Sequence, residues 1–201
     1  MSTQAKSHLT PEQYLEIERK AEFKSEYYQG EMFAMSGAQE AHVLITDNAC
    51  GELRQQLRRR PCKAYSSNMR VCVTPGGLYT YPDVVVVCEK PEFLDSEFDT
   101  LLNPTVIIEV LSRSTEAYDR GKKFELYGSL NSLGEYVMIS SLRIRAERFT
   151  REPDGTWNYG KTSSLQDSIH LKSIGCSLLL SDIYEKVEFP EDPSASPPAA
   201  S

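Results

Sequence analysis

The sequence predicts an α/β fold built as one domain, and three observations carry that reading. The chain has 201 residues, within the usual range for one domain and long enough to bury a central sheet behind helices. Two near-continuous apolar runs, VVVV at 84–87 and VIIEVL at 106–111, suit strands covered on both faces. Between the second run and EYVMIS at 135–140 lies a segment of helical pattern, and strand, helix, strand is the crossover signature of a mixed or parallel sheet.

The elements follow in order. Thr10, Pro11 and Gln13 open a helix as a capping box with proline in the first turn, and LTPEQYLEIERKA continues it. KSEYYQGEMFAMSG then reads as a hairpin turning at Gln29-Gly30. From about Gln39 to Arg60 the pattern is helical, with Val43, Leu44, Ala49, Leu53 and Leu57 as one broad apolar stripe, and Pro61 ends it. KAYSSNMRVCV and LYTYPDVVVVCE are strand-like and flank the turn sequence TPGG. After PTVIIEVLS a helix is expected from Thr115 to about Leu130, then the strand EYVMIS. RAERFTRE, TWNYGKT and SIHLKSI form an additional antiparallel region of edge strands, and SLLLSDIYEKV a closing short helix. The domain spans 1–189, and the tail 190–201, PEDPSASPPAAS, has nothing to bury and is expected to be disordered.

Composition excludes several classes. With 40% hydrophobic and 25% charged residues the chain is ordinary for a globular protein. No run approaches the ~18 apolar residues that span a bilayer, and no secretory signal is evident, so no membrane partner and a cytoplasmic location are expected. Cys50, Cys62, Cys72, Cys88 and Cys176 form no CxxC pair and are expected to be reduced, mostly buried thiols. The scattered His8, His42 and His170 give no zinc site; any metal should be hard and oxygen-bound. A net charge of -7 counts against nonspecific nucleic-acid binding. The basic stretch Arg54, Arg58, Arg59, Arg60 and Lys63 softens that objection or is simply the end of a helix.

Two acids stand out. Asp83 opens one apolar strand, and Glu109 interrupts another between Ile107, Ile108 and Val110, Leu111. A carboxylate there costs several kcal/mol unless it is paired, neutral, or bound to a cation. A salt bridge or a raised pKa would satisfy one isolated acid. Two acids in adjacent strands point instead to a shared divalent cation, since perturbed carboxylates gather at functional sites. Magnesium takes such ligands while keeping several waters, lowers the pKa of a bound water, and neutralises charge on a phosphate. The chemistry implied is phosphodiester hydrolysis.

YPDVVVV, VIIEVLSRST, DRGKKFELY and EYVMIS, together with YYQGEMFAMSGAQEAH, resemble the Uma-type family of "putative restriction endonucleases", a branch of the PD-(D/E)XK nuclease superfamily. The likeness runs from about Tyr14 to Val187. It implies a restriction-endonuclease-like core with a mixed central sheet flanked by helices. Asp83 and Glu109 would be metal ligands, and the Val110 carbonyl a third. The sequence departs from the superfamily's E-x-K at Leu111, which holds the place of the lysine and cannot orient water. The resemblance supplies a lysine from the next helix in a D-x-x-x-K pattern falling on Asp119 and Lys123, with Lys122 adjacent; without it, Asp119 and Lys123 read as a solvent-facing i,i+4 pair.

Weaker candidates complete the set. By resemblance Glu31 completes the metal site; from its position alone it reads equally as an exposed strand-end acid. His42 is a general base, a cap or a packing residue, and Ser112 and Thr115 orient phosphate or, for Thr115 above all, cap the following helix. Tyr127 and Tyr136 read as core. The expected activity is a magnesium-dependent endonuclease acting on DNA, with manganese as a substitute metal and a homodimer by analogy. The alternative is an inactive interaction module on the same fold.

Overall fold

The structure, a computed structural model, describes residues 8–73 and 77–189. The tail expected at 190–201 and most of the TPGG turn lie outside the described residues. Helix α1 (Pro11–Glu18) begins with the capping box read from the sequence: the Thr10 hydroxyl accepts from Gln13 N, and the Gln13 side chain accepts from Thr10 N. Strands β1 (Ser25–Tyr28) and β2 (Glu31–Ala34) form the hairpin. Gln29 (φ 47°) and Gly30 (φ 92°) both sit at positive φ, as a two-residue turn matched to strand twist requires.

Helix α2 (Glu40–Leu57) follows, then β3 (Lys63–Ser66), β4 (Arg70–Cys72), β5 (Leu78–Thr80), β6 (Val84–Val87), β7 (Thr100–Leu101) and β8 (Val106–Leu111). A crossover helix comes in three pieces: α3 (Glu116–Tyr118), a π-helical turn at Asp119–Lys123, and α4 (Phe124–Tyr127). Strands β9 (Glu135–Ser140), β10 (Ala146–Arg151), β11 (Trp157–Thr162), β12 (Ser168–Leu171) and β13 (Cys176–Leu179) precede the short helix α5 (Leu180–Ile183).

The central sheet has the order β11-β10-β9-β8-β6-β3. It is mixed: β8 and β9 are parallel and every other pair is antiparallel, so the crossover expected from the sequence lies where it was read. One face, including Val84, Val86, Ile108 and Val110, packs with α2, β13 and α5; the other, including Val85, Ile107, Leu111 and Tyr136, packs on Val71, Leu78 and Leu101 of a second sheet and on Tyr127 of α4. That second sheet has the order β2-β1-β5-β4-β7. Burial of both faces explains the near-continuous apolar runs. Among the described residues no helix is long and apolar enough to cross a membrane.

Several expectations change. Each of the two long strand-like segments splits between the sheets: KAYSSNMRVCV breaks at a turn near Asn68, and LYTYPDVVVVCE breaks at Pro82, whose missing N–H cannot serve a ladder. The polar stretch after β6 contains β7, parallel to β4. β10 is interior, β11 is the edge, and β12 pairs with β13, which had been read as part of the closing helix. On α2 the buried stripe is Ala41, Ile45, Ala49, Leu53 and Leu57, while Val43 is 45% exposed.

A buried arginine fixes the second sheet. Arg70 donates to Thr100 Oγ1, the Tyr81 hydroxyl and Asp99 Oδ2, which offsets the cost of burying its charge. Arg19 and Arg70 hold the Asp99 carboxyl well below the usual carboxylate range. Tyr81 in turn donates to Glu18 Oε1 at 2.9 Å, tying α1 to the segment that leads into Asp83.

The cysteine expectation is corrected: Cys62 and Cys88 are joined in a disulfide, while Cys50, Cys72 and Cys176 are free and buried. The β3–β6 register pairs Lys63 with Val87, and one step further it sets Cys62 opposite Cys88 with Cα atoms 4.0 Å apart. Denatured without reductant, the protein should therefore show three reactive thiols in a colorimetric thiol assay; five would contradict the bond. Cys88→Ser should lower unfolding stability by roughly 3 kcal/mol, the size expected for closing a loop across 26 residues.

Candidate active site

The β6–β8 register pairs Val84 with Ile108, and one step further Asp83 falls opposite Glu109. Because side chains alternate along a strand, both acids share the face of Val85, Ile107 and Leu111. Asp83 is locked in place: its Oδ2 accepts from Val110 N at 2.7 Å and its Oδ1 lies 2.8 Å from His42 Nε2. A carboxylate only accepts, so the imidazole donates. His42 thus orients Asp83 from the first turn of α2.

Glu109 is 3% exposed. Its Oε1 accepts from the Tyr127 hydroxyl at 2.7 Å and from Lys123 Nζ at 3.2 Å. Lys123 Nζ also lies 3.1 Å from Glu26 Oε1 and 3.4 Å from Asp119 Oδ1. Burial pushes the Glu109 carboxyl up to about 8, with Asp119 and Asp83 adding to the shift and the ammonium countering it. Burial opposes the charged form of Lys123, but Glu109, Glu26 and Asp119 outweigh it and hold the ammonium well above its ordinary value. Burial also raises Asp119.

The π turn accounts for this gathering. An α-helix has fewer than four residues per turn, so a spacing of four drifts around the axis one way; a π turn holds more than four and drifts back. Asp119, Lys123 and Tyr127, four residues apart, thereby return to one face. Lys123 and Asp119 are both buried, which overturns the solvent-facing reading of the pair. Lys122 points away, with its side chain 40% exposed and paired to Glu125 at 3.1 Å.

The remaining candidates divide. Glu31 is not among the residues lining the cleft at Asp83 and Glu109; the hairpin acid that reaches Lys123 is Glu26. No sequence signal separated Glu26 from Glu31. Tyr127, read as core, was missed as a site residue, although its position four residues after Lys123 was a usable cue. Tyr136 is fully buried and donates to the Asp119 carbonyl at 3.1 Å. Thr115 occupies the N-cap of α3 but makes no capping bond; its hydroxyl turns back to Ser112, 3.1 Å from the Ser112 hydroxyl. Leu111 is buried in the core.

The cleft has a volume of about 1010 Å³. Asp83, Glu109, Asp119 and Glu26 face a single lysine ammonium and one histidine, so negative charge is in excess. Asp119 Oδ1 is buried without a hydrogen bond, its ion-pair partner being the Lys123 ammonium at 3.4 Å. Hard oxygen donors and surplus negative charge fit a divalent cation. Among the described residues no three His, Cys, Asp or Glu side chains form a metal-holding group. A cation here would draw on Asp83, Glu109, the Val110 carbonyl and water.

The family model Uma2, described as "Putative restriction endonuclease", matches residues 11–181. The uncharacterized protein slr1290 of Synechocystis sp. (strain ATCC 27184 / PCC 6803 / Kazusa) is 34% identical over 184 residues, covering 90% of this chain and 94% of that protein. The uncharacterized protein sll1609 of the same organism is 35% identical over 149 residues, or 74% of this chain and 84% of the relative. A crystal structure of "a putative nuclease belonging to DUF820" from Anabaena variabilis ATCC 29413 superposes with a TM-score of 0.70 at 16% identity, covering 88% of this chain and 97% of that one. The shared architecture is the restriction-endonuclease-like fold.

Removing the ammonium would leave the buried acids Glu109 and Asp119, and the part-buried Glu26, without the cation they share. Lys123→Met should lower urea-unfolding stability at neutral pH by about 3–5 kcal/mol, as for other broken buried ion pairs, while Lys122→Met should change it by less than about 0.5 kcal/mol. Equal effects of the two substitutions would contradict the burial assigned to Lys123.

Proposed function

The chain belongs to the Uma2 family of "putative restriction endonucleases", and from that membership and the site's geometry we propose that it is a magnesium-dependent endonuclease hydrolysing phosphodiester bonds of DNA. The observation that carries the reading is the meeting of Asp83 and Glu109 on one sheet face with Lys123 Nζ 3.2 Å from Glu109 Oε1. When bound, magnesium supplies a water of lowered pKa and neutralises charge on the scissile phosphate, and manganese can take its place.

The chain's own residues supply the rest. Asp83 and Glu109 hold the ion, with the Val110 carbonyl beside them. His42 fixes the Asp83 carboxylate, and Tyr127 fixes that of Glu109. Lys123 is held protonated by its three acids, so it serves as a hydrogen-bond donor to water or to a phosphate oxygen, not as a base. Leu111, the feature that favoured an inactive module, has less weight here because an ammonium reaches Glu109 from the crossover helix instead. All of these residues come from one chain, so one copy carries a whole site for one strand scission; a homodimer would carry two.

With magnesium the purified protein should nick plasmid DNA. Lys123→Ala should slow nicking by about 10²–10³-fold, the usual cost of one lost electrostatic stabiliser. His42→Ala should cost about 10–100-fold, as outer partners of metal ligands do. Asp83→Asn and Glu109→Gln should fall to background. Inactive wild type, or carboxylate variants that cut as wild type does, would overturn the assignment.

A further inference from the structure

Taking the cleft as the active site of an endonuclease, we propose that it accepts single-stranded DNA in preference to duplex, with unpaired bases stacked on an apolar wall. Exposed apolar side chains are concentrated here. Among the described residues, Phe23, Phe33, Met35, Val43 and Tyr118 are exposed and line this cleft, whereas Ile17, Phe98 and Tyr159 are the exposed large apolar residues elsewhere. A patch gathered beside a polar site marks an interaction surface. Val43 makes the point sharply, because the periodicity of α2 assigns it to the buried stripe and the fold leaves it 45% exposed on the cleft.

The charge balance selects the occupant. Glu22, Glu26, Asp47, Asp83, Glu109 and Asp119 line the cleft against Lys24, Arg113 and Lys123. Lys123 sits among the buried acids and serves at most the one phosphate at the carboxylate pair, and Lys24 donates to the Ser67 carbonyl at 2.9 Å. Duplex binding is driven by neutralising many phosphates, and this cleft lacks the cations for it. A single strand needs fewer phosphate contacts when its bases stack on aromatic and apolar side chains. The two kinds of contact come from different segments. Phe33, Met35 and Val43 lie on β2, the loop after it and the start of α2. Ser112 and Ser114 lie between β8 and α3, beside Glu109, where their hydroxyl cluster can receive a phosphate. A strand crossing from one to the other would pass over the carboxylate pair.

The test is fluorescence anisotropy of the full chain, with calcium in place of magnesium, on a labelled mixed-sequence DNA oligonucleotide, its duplex and the RNA of the same sequence. The single-stranded DNA should bind at least about tenfold more tightly than the duplex. Phe33→Ala and Val43→Ser should each weaken single-strand binding by about tenfold, the order of one lost base contact, with duplex binding unchanged. Phe33→Trp should restore binding, and Phe98→Ala, remote from the cleft, should have no effect. Duplex binding as tight as single-strand binding, no binding of the single strand, or cleft variants that bind as wild type does would overturn the preference. Equal or tighter binding of the RNA would overturn DNA as the occupant. Plasmid nicking that requires Asp83 would leave the endonuclease reading standing through any of these results, whereas loss of that requirement would remove it separately.

Discussion

A glutamate in the interior strand of a six-stranded sheet is the constraint on which the rest of the molecule depends. Glu109 is 3% exposed between apolar neighbours, and an uncompensated carboxylate there would cost several kcal/mol. Compensation arrives from two directions. The crossover helix brings Lys123 and Tyr127 to Glu109, and the second sheet brings Glu26 to the same lysine, while Asp83 on the neighbouring strand adds to the negative charge. Each of these placements dictates a piece of architecture: the π turn in the crossover, the packing of the hairpin against the central sheet, and the register of β6 on β8.

The lysine's origin separates this site from the usual E-x-K arrangement. Two residues past Glu109 the strand presents Leu111, which fills the core between the sheets. The ammonium comes instead from the facing helix, where it meets the same carboxylate. Function here attaches to the position of a charge and not to its place in the chain, which is why a long flexible side chain can satisfy it from a second element. The cluster still carries more negative than positive charge, and that imbalance gives a divalent cation a physical reason to bind.

Much of this was legible in the sequence, and the rest was not for identifiable reasons. The runs VVVV and VIIEVL announced buried strands, whereas the shared face of Asp83 and Glu109 came only with the β6–β8 register. Lys123 was reachable only through family resemblance, because spacing alone made Asp119 and Lys123 an ordinary surface pair. The division of each long strand segment between two sheets turned on Pro82 and the turn near Asn68, local breaks whose partners are distant in sequence. The Cys62–Cys88 bond depended on a strand register that no single segment encodes. By the β1–β2 register Glu26 and Glu31 share the hairpin face opposite Tyr27, and it is Glu26, away from the turn, that reaches Lys123, a tertiary fact. Helical periodicity buried Val43, but the cleft at the start of α2 leaves that position uncovered.

Thermal unfolding against magnesium concentration tests most directly whether the acids facing each other across β6 and β8 hold a cation. A ligand that binds only the folded state raises stability in proportion to the logarithm of its concentration above the dissociation constant. The wild-type Tm should climb steadily through the millimolar range, and that of Asp83→Asn should stay flat. A wild-type Tm indifferent to magnesium, or one that climbs equally in both proteins, would show that these carboxylates are not the ion's ligands.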